Sequence, residues 1–133
     1  MSSVEEQVAG AGNQRILLVE DNEANRYVAV EFLSMLTALE VDCAADGLEA
    51  VELFDANPAY RIIIMDQQMP KMDGLEATRL IREKGYTGPI IATTANVFEE
   101  DRDACLAAGM NDFIAKPIRM DEFKELLDRW LQQ

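Results

Sequence analysis

Five residues of this chain could do chemistry by type and by position: Glu20, Asp21, Asp66, Thr94 and Lys116. Each closes or follows a short apolar run, at 16–19, 62–65, 89–93 and 112–115. Such runs read as strands of a parallel sheet buried on both faces. In open sheets of that kind, ligands sit beyond the carboxyl ends of the strands, so the five groups are expected along one edge. Three carboxylates meeting there repel one another and raise at least one pKa unless a cation intervenes. Oxygen donors without Cys or His favour Mg²⁺, which takes a few carboxylates and keeps water or phosphate oxygens. The Lys116 ammonium and the Thr94 hydroxyl suit the oxygens of a transferring phosphoryl group, whose movement is catalysed by positioning and electrostatics. Asp66 follows the most apolar run, Ile62-Ile63-Ile64-Met65, and is the carboxylate placed to attack and form an aspartyl phosphate.

Singly, each residue has a plainer reading. An acid after an apolar strand is usually the first loop residue, a threonine there is as often a cap or turn hydroxyl, and a lone lysine is most often solvated. Met65, Met69 and Met72 read as core filling. The case for a site rests on the five falling together on one edge.

The elements that must position them alternate. Arg15 leads into strand 16–19, and Asn22 caps a helix over about 23–39 with Ala24, Val28, Phe32, Met35, Leu36 and Leu39 as its apolar stripe. A more polar strand, 41–44, suits a sheet edge. Helix 48–56 turns Leu48, Val51 and Phe54 inward and stops at Asn57-Pro58. After strand 62–65 come helix 74–84, strand 89–93, a weak helix 99–108 with only Ala104, Cys105 and Ala108 to bury, strand 112–115 and helix 121–131. That last helix carries Phe123, Leu126, Leu127, Trp130 and Leu131 on one face. Five strands alternating with five helices predict an α/β fold: a doubly wound, flavodoxin-like (βα)5 parallel sheet, strand order 2-1-3-4-5, with the acid-tipped first and third strands adjacent.

With 133 residues the chain is long enough for one domain, expected over 15–132 after a disordered tail at 1–14. Twelve Lys and Arg against 25 Asp and Glu give a formal charge of −13, which argues against nucleic acid or anionic membrane as a direct partner. No apolar run approaches a membrane span and no charged-then-apolar leader is legible. Histidine is absent, which removes imidazole acid–base catalysis, His metal ligands and phosphohistidine from this chain. Cys43 and Cys105 read as buried thiols of a cytoplasmic protein rather than a disulfide or metal pair.

The motifs Val19-Glu20-Asp21-Asn22, Met65-Asp66-Gln67-Gln68-Met69-Pro70-Lys71-Met72-Asp73-Gly74, Thr94-Ala95 and Lys116-Pro117 closely resemble those of receiver domains of two-component response regulators. The resemblance runs from about Arg15 to Leu131. With Asn22 and Asn25, it is greatest to receivers of hybrid sensor histidine kinases. It implies that Asp66 accepts a phosphoryl group from a phosphohistidine on a histidine kinase or histidine phosphotransfer domain. It further implies Mg²⁺ held by Glu20, Asp21, Asp66 and the backbone carbonyl of Gln68, with Lys116 on the phosphoryl oxygens and a cis bond to Pro117. Thr94 and Phe113 are the implied switch pair, remodelling the surface of the fourth helix, fifth strand and fifth helix. Phe113 stands where tyrosine is common and lacks its hydroxyl. Gln68 and Asn96 flank the phosphoryl site.

Such a domain would catalyse only its own phosphorylation and dephosphorylation. One competing reading is an aspartate-nucleophile phosphatase, which needs a second acid two residues after the nucleophile, where this chain has Gln68. Another is a phosphorylation-independent interaction module, for which an incomplete site would be the sign. No output module is legible after Leu131, so a stand-alone regulator and a domain of a larger hybrid kinase both stay open, as does a phosphorylation-dependent homodimer.

Overall fold

The structure, a computed structural model, describes residues 15–67, 69, 71–95 and 99–131. The expected tail at 1–14, together with Gln68 and Asn96, lies outside the described residues. The elements alternate strictly: β1 (Arg15–Val19), α1 (Glu23–Leu36), β2 (Glu40–Ala44), α2 (Gly47–Ala56), β3 (Tyr60–Asp66), α3 (Gly74–Glu83), β4 (Ile90–Thr94), α4 (Glu99–Ala108), β5 (Asp112–Ala115) and α5 (Met120–Leu131). All strand pairs are parallel, and the sheet runs β2-β1-β3-β4-β5 as the alternation predicts. The more polar strand β2 is indeed at an edge.

Strand side chains point alternately to the two faces, and two cores result. Leu17, Val19, Ile63, Met65, Ile90 and Ala92 face α2, α3 and α4. Ile16, Leu18, Ile62, Ile64, Ile91 and Ile114 face α1 and α5. The chain winds from β1 outward to β2, then returns past β1 to β3, so the switch of direction falls between β1 and β3. There the C-terminal ends of neighbouring strands leave a crevice. Register holds those ends level, with Val19 opposite Met65, Asp66 opposite Thr93, and Thr94 opposite Ala115.

Three expectations need correction. Helix α1 ends at Leu36, because Thr37 turns to extended backbone with its N–H still on the Leu33 carbonyl and its Oγ1 accepting from Leu39 N–H at 3.1 Å. Its buried seam is Ala29 and Leu33, flanked by Phe32 and Leu36, while Val28 and Met35 are exposed, Met35 at 65%. Apolar residues lie on nearly every side of this helix, so periodicity alone cannot choose which side meets the sheet. In α2 the inward line is Gly47, Ala50, Val51 and Phe54, and Leu48 faces water. Gly47 sets that phase: its N–H donates to the Met72 carbonyl at 3.0 Å, and a Cβ there would stand 2.3 Å from the same oxygen. Cys43, on the edge strand, is exposed rather than buried, while Cys105 is buried as expected.

Candidate functional site

The described side chains of the five chemistry-bearing residues meet in one cleft of about 200 Å³ at the C-terminal edge of the sheet. Glu20 leaves β1 buried, its N–H on the Ala44 carbonyl at 3.0 Å and its Oε2 accepting from Asn22 N–H at 3.0 Å. The same Asn22 caps α1 through its Oδ1, so one residue fixes both the acid and the helix start. Asp21 follows in the open, at the mouth of the cleft. Asp66 is the last residue of β3 and only 2% exposed. Behind it, Gly74 N–H donates to the Gln67 carbonyl at 2.9 Å, and a Cβ at Gly74 would lie 2.2 Å from the Asp66 carbonyl oxygen. Only glycine lets the start of α3 come that close.

Thr94 closes β4, buried, and its carbonyl accepts from Lys116 N–H at 2.9 Å, which ties the ends of β4 and β5 together. The Lys116–Pro117 peptide is cis. The ammonium of Lys116 reaches across the cleft to Asp66 Oδ2 at 2.9 Å and Glu20 Oε1 at 3.1 Å. Phe113 is half-buried on β5, outside the cleft. The carbonyl of Gln68, expected beside the carboxylates, lies outside the described residues.

Charge is unevenly shared. Burial, then the nearby Glu20 and Asp21 carboxyls, push Asp66 up to about 7 against the pull of Lys116. Burial also acts upward on Asp21, but hydrogen bonding with Asp66 and Glu20 and the Lys116 charge hold it below the usual carboxylate range. Burial works against the Lys116 ammonium, yet Asp66 and Glu20 raise its pKa overall. Without a cation, therefore, the inner carboxyl is the one that favours its proton. Glu20, Asp21 and Asp66 each offer an oxygen, all within 4.8 Å of one another, the one such acidic group among the described residues. Mg²⁺ gathers oxygens at about 2.0–2.1 Å, so a small closing of this set matches a hard divalent ion, which would take the place of that proton.

Sequence reasoning did not single out two further contributors. Gln67, nearly buried, lines the cleft and donates its N–H to Thr93 O at 3.1 Å. Arg26 donates to the Glu20 carbonyl at 2.8 Å. Neither has a signal beyond adjacency: one follows the strand-end acid, the other stands one helical turn past the Asn22 cap. A larger depression, about 660 Å³, lies at the opposite edge of the sheet between Pro58, Lys84, Tyr86 and Trp130. It gathers no cluster of carboxylates among the described residues, so we assign the chemistry to the smaller cleft.

Fold and cleft define a doubly wound α/β domain with an acidic, lysine-braced edge suited to phosphoryl chemistry. The sequence profile of the response regulator receiver domain matches residues 16–128, and the chain belongs to that family, the receivers of two-component signal transduction. Two-component system protein A of Emericella nidulans is 41% identical over 121 residues, which make up 90% of this chain and 18% of that protein. The chain thus spans under a fifth of that relative's length. Among solved structures, the receiver domain of sensor histidine kinase PA1611 from Pseudomonas aeruginosa superposes with a TM-score of 0.82 at 43% identity, covering 91% of this chain and 99% of that one. That crystal structure has a magnesium ion coordinated in its active-site cleft. The receiver domain of Saccharomyces cerevisiae Ssk1, solved in complex with the histidine phosphotransfer protein Ypd1, gives 0.79 at 27% identity, covering 87% of each chain. No helix among the described residues is long and apolar enough to cross a membrane.

Proposed function

We propose that this receiver, residues 15–132, takes a phosphoryl group onto Asp66 from a phosphohistidine on a histidine kinase or histidine phosphotransfer partner. The observation that carries the reading is the meeting of Asp66 with Glu20, Asp21 and Lys116 at the switch point of the sheet. A bond forms between an Asp66 carboxylate oxygen and phosphorus as the phosphorus–nitrogen bond to the partner's imidazole breaks. Later attack by water on phosphorus returns the free carboxylate. The domain thus catalyses its own phosphorylation and dephosphorylation and no other turnover.

Glu20, Asp21, Asp66 and the Gln68 carbonyl would hold Mg²⁺. When bound, the ion neutralises the crowded acids and the charge on the phosphoryl oxygens. Lys116 is already directed at Asp66 and would follow the transferred oxygens. Thr94 would donate its hydroxyl to the phosphoryl group, and Phe113 would move inward behind it. The surface of α4, β5 and α5 would change as a result, and among its described side chains α4 buries only Cys105 and Ala108.

The exposed Tyr27, Val28 and Met35 of α1 would form the partner's seat, with Val28 flanking a small hollow of about 90 Å³ beside Lys116 and Pro117. A cytoplasmic setting and a partner with basic groups fit the formal charge of −13. Intact mass after incubation with Mg²⁺ and acetyl phosphate tests the reading. One added phosphoryl group, absent without metal and absent in Asp66→Asn, is expected. Continuous phosphate release would instead revive the phosphatase.

A further inference from the structure

The guanidinium of Arg102, exposed on α4, lies over the Phe113 ring of β5, with Cζ 5.1 Å from the ring centroid. Cations within about 6 Å of a ring centroid are attracted by the negative face of the ring. The ring is half-buried. It packs against the core beneath α2, α3 and α4, and it also lines a shallow groove of about 210 Å³ with Ala115, Leu126 and Arg129. Two residues along β5, Ala115 pairs with Thr94, and Lys116 comes next. One contact therefore joins α4 to the strand that carries the lysine of the phosphoryl site.

We propose that Arg102 is a positioning residue that latches Phe113 at the surface and opposes the inward ring movement accompanying phosphorylation. The proposal rests on the receiver reading of the preceding subsection. A phenyl ring has no hydroxyl with which to hold a surface position, and the cation over its face supplies the hold instead. A ring withdrawing behind Thr94 leaves the guanidinium, which stays with water because burying it unpaired is costly. Arginine suits the task better than lysine, since its flat, weakly hydrated guanidinium stacks on rings. The cation that lines this groove, Arg129, is committed to Asp112 at 2.7 Å and Glu125 at 3.5 Å. A cation–ring contact at an exposed site weights an equilibrium by about two- to five-fold.

The test uses Mg²⁺ with beryllofluoride, a tetrahedral stand-in for the phosphoryl group, and ring-labelled phenylalanine. Arg102→Met keeps the apolar stem and removes the cation, and at an exposed position it leaves the fold intact. The latch predicts that Arg102→Met shifts the Phe113 ring signal of the free protein toward its beryllofluoride-bound position. Beryllofluoride affinity should rise about two- to five-fold. Arg102→Lys should recover part of the wild-type behaviour. In a Phe113→Leu background, Arg102→Met should no longer raise the affinity.

Loss of a positive charge alone would lower affinity for an anion, so the sign separates the latch from simple electrostatics. An unchanged ring signal, a fall in affinity, or an equal rise in the Phe113→Leu background overturns the latch while leaving the receiver reading intact. Failure of the wild-type protein to bind beryllofluoride with Mg²⁺ removes that reading and the latch with it.

Discussion

Replacing Asp66 by Asn should stabilise the metal-free domain at pH 8, and the gain should vanish near pH 4. The folded-state carboxyl is pushed up to about 7 from an ordinary value of 3.8. A raised carboxylate pKa means that the protonated form belongs to the folded state. The associated stability is complete below pH 4 and is lost as pH rises through about 7. About three units at ~1.4 kcal/mol each give an upper bound of about 4 kcal/mol missing from the wild type at pH 8. Asp66 is almost wholly buried, so water screens little of this. The amide removes that penalty but also one partner of Lys116, which keeps Glu20 at 3.1 Å. A net gain of about 1–3 kcal/mol at pH 8 is therefore expected. Urea unfolding of both proteins in chelator at pH 4.5, 6 and 8 measures it. A variant less stable than wild type at pH 8, or a difference flat with pH, refutes the account of carboxylate crowding.

Mg²⁺ at 100 times its dissociation constant should add about 2.7 kcal/mol to the wild type in the same urea experiment. Asp21→Asn should lose most of that gain; an undiminished gain would take Asp21 out of the ligand set. Lys116→Met should slow phosphorylation by acetyl phosphate about 100-fold, as expected when a charged group aimed at the reacting oxygens is removed. Intact-mass time courses read it, and an unaltered rate would deny the lysine that role. Within α1, Leu33→Ala should cost about 2–5 kcal/mol and Met35→Ala less than about 0.5, since one is fully buried and the other exposed. Comparable losses would mean that the helix sits in the phase suggested by its apolar pattern.

Strand positions and the site were legible because they share one signature: an uninterrupted apolar run that ends at a polar residue. Ile62 to Met65 is buried on both faces, so no alternation has to be decoded, and the acid at its end marks the edge. The start of α1 was legible because Asn22 caps it, and in the structure Asp46 and Asp73 cap α2 and α3 in the same way, each accepting from the backbone three residues on. Helix rotation was not legible. In α1 the apolar set surrounds the axis, and in α2 the decisive residue is Gly47, which contributes by lacking a side chain. Contacts such as Arg102 on Phe113 were equally hidden, since they depend on how a thinly packed helix turns toward a neighbouring strand.

In the proposed switch, one side of the sheet would stay fixed while the other responds. Asp66 and Glu20 close inner strands whose side chains are buried on both faces, and the acids cannot move far without disturbing both cores. Thr94 closes β4, which is also an inner strand, and Lys116 follows the edge strand β5, beside α4. At the C-terminal end of α4, Arg82 donates to Gly109 O at 3.0 Å, Gly88 O at 2.7 Å and Asn111 Oδ1 at 2.7 Å. Asn111 Oδ1 in turn accepts from Ile90 N–H at 2.9 Å, so that end of the helix is tied to α3 and β4. Among its described side chains, α4 buries only Cys105 and Ala108, both toward the tied end. In the proposed switch, α4 would take up a displacement at Thr94 as a swing about its tied end at Gly109 rather than a slide. Such a swing would carry Arg102 past the ring of Phe113, straining the contact between them.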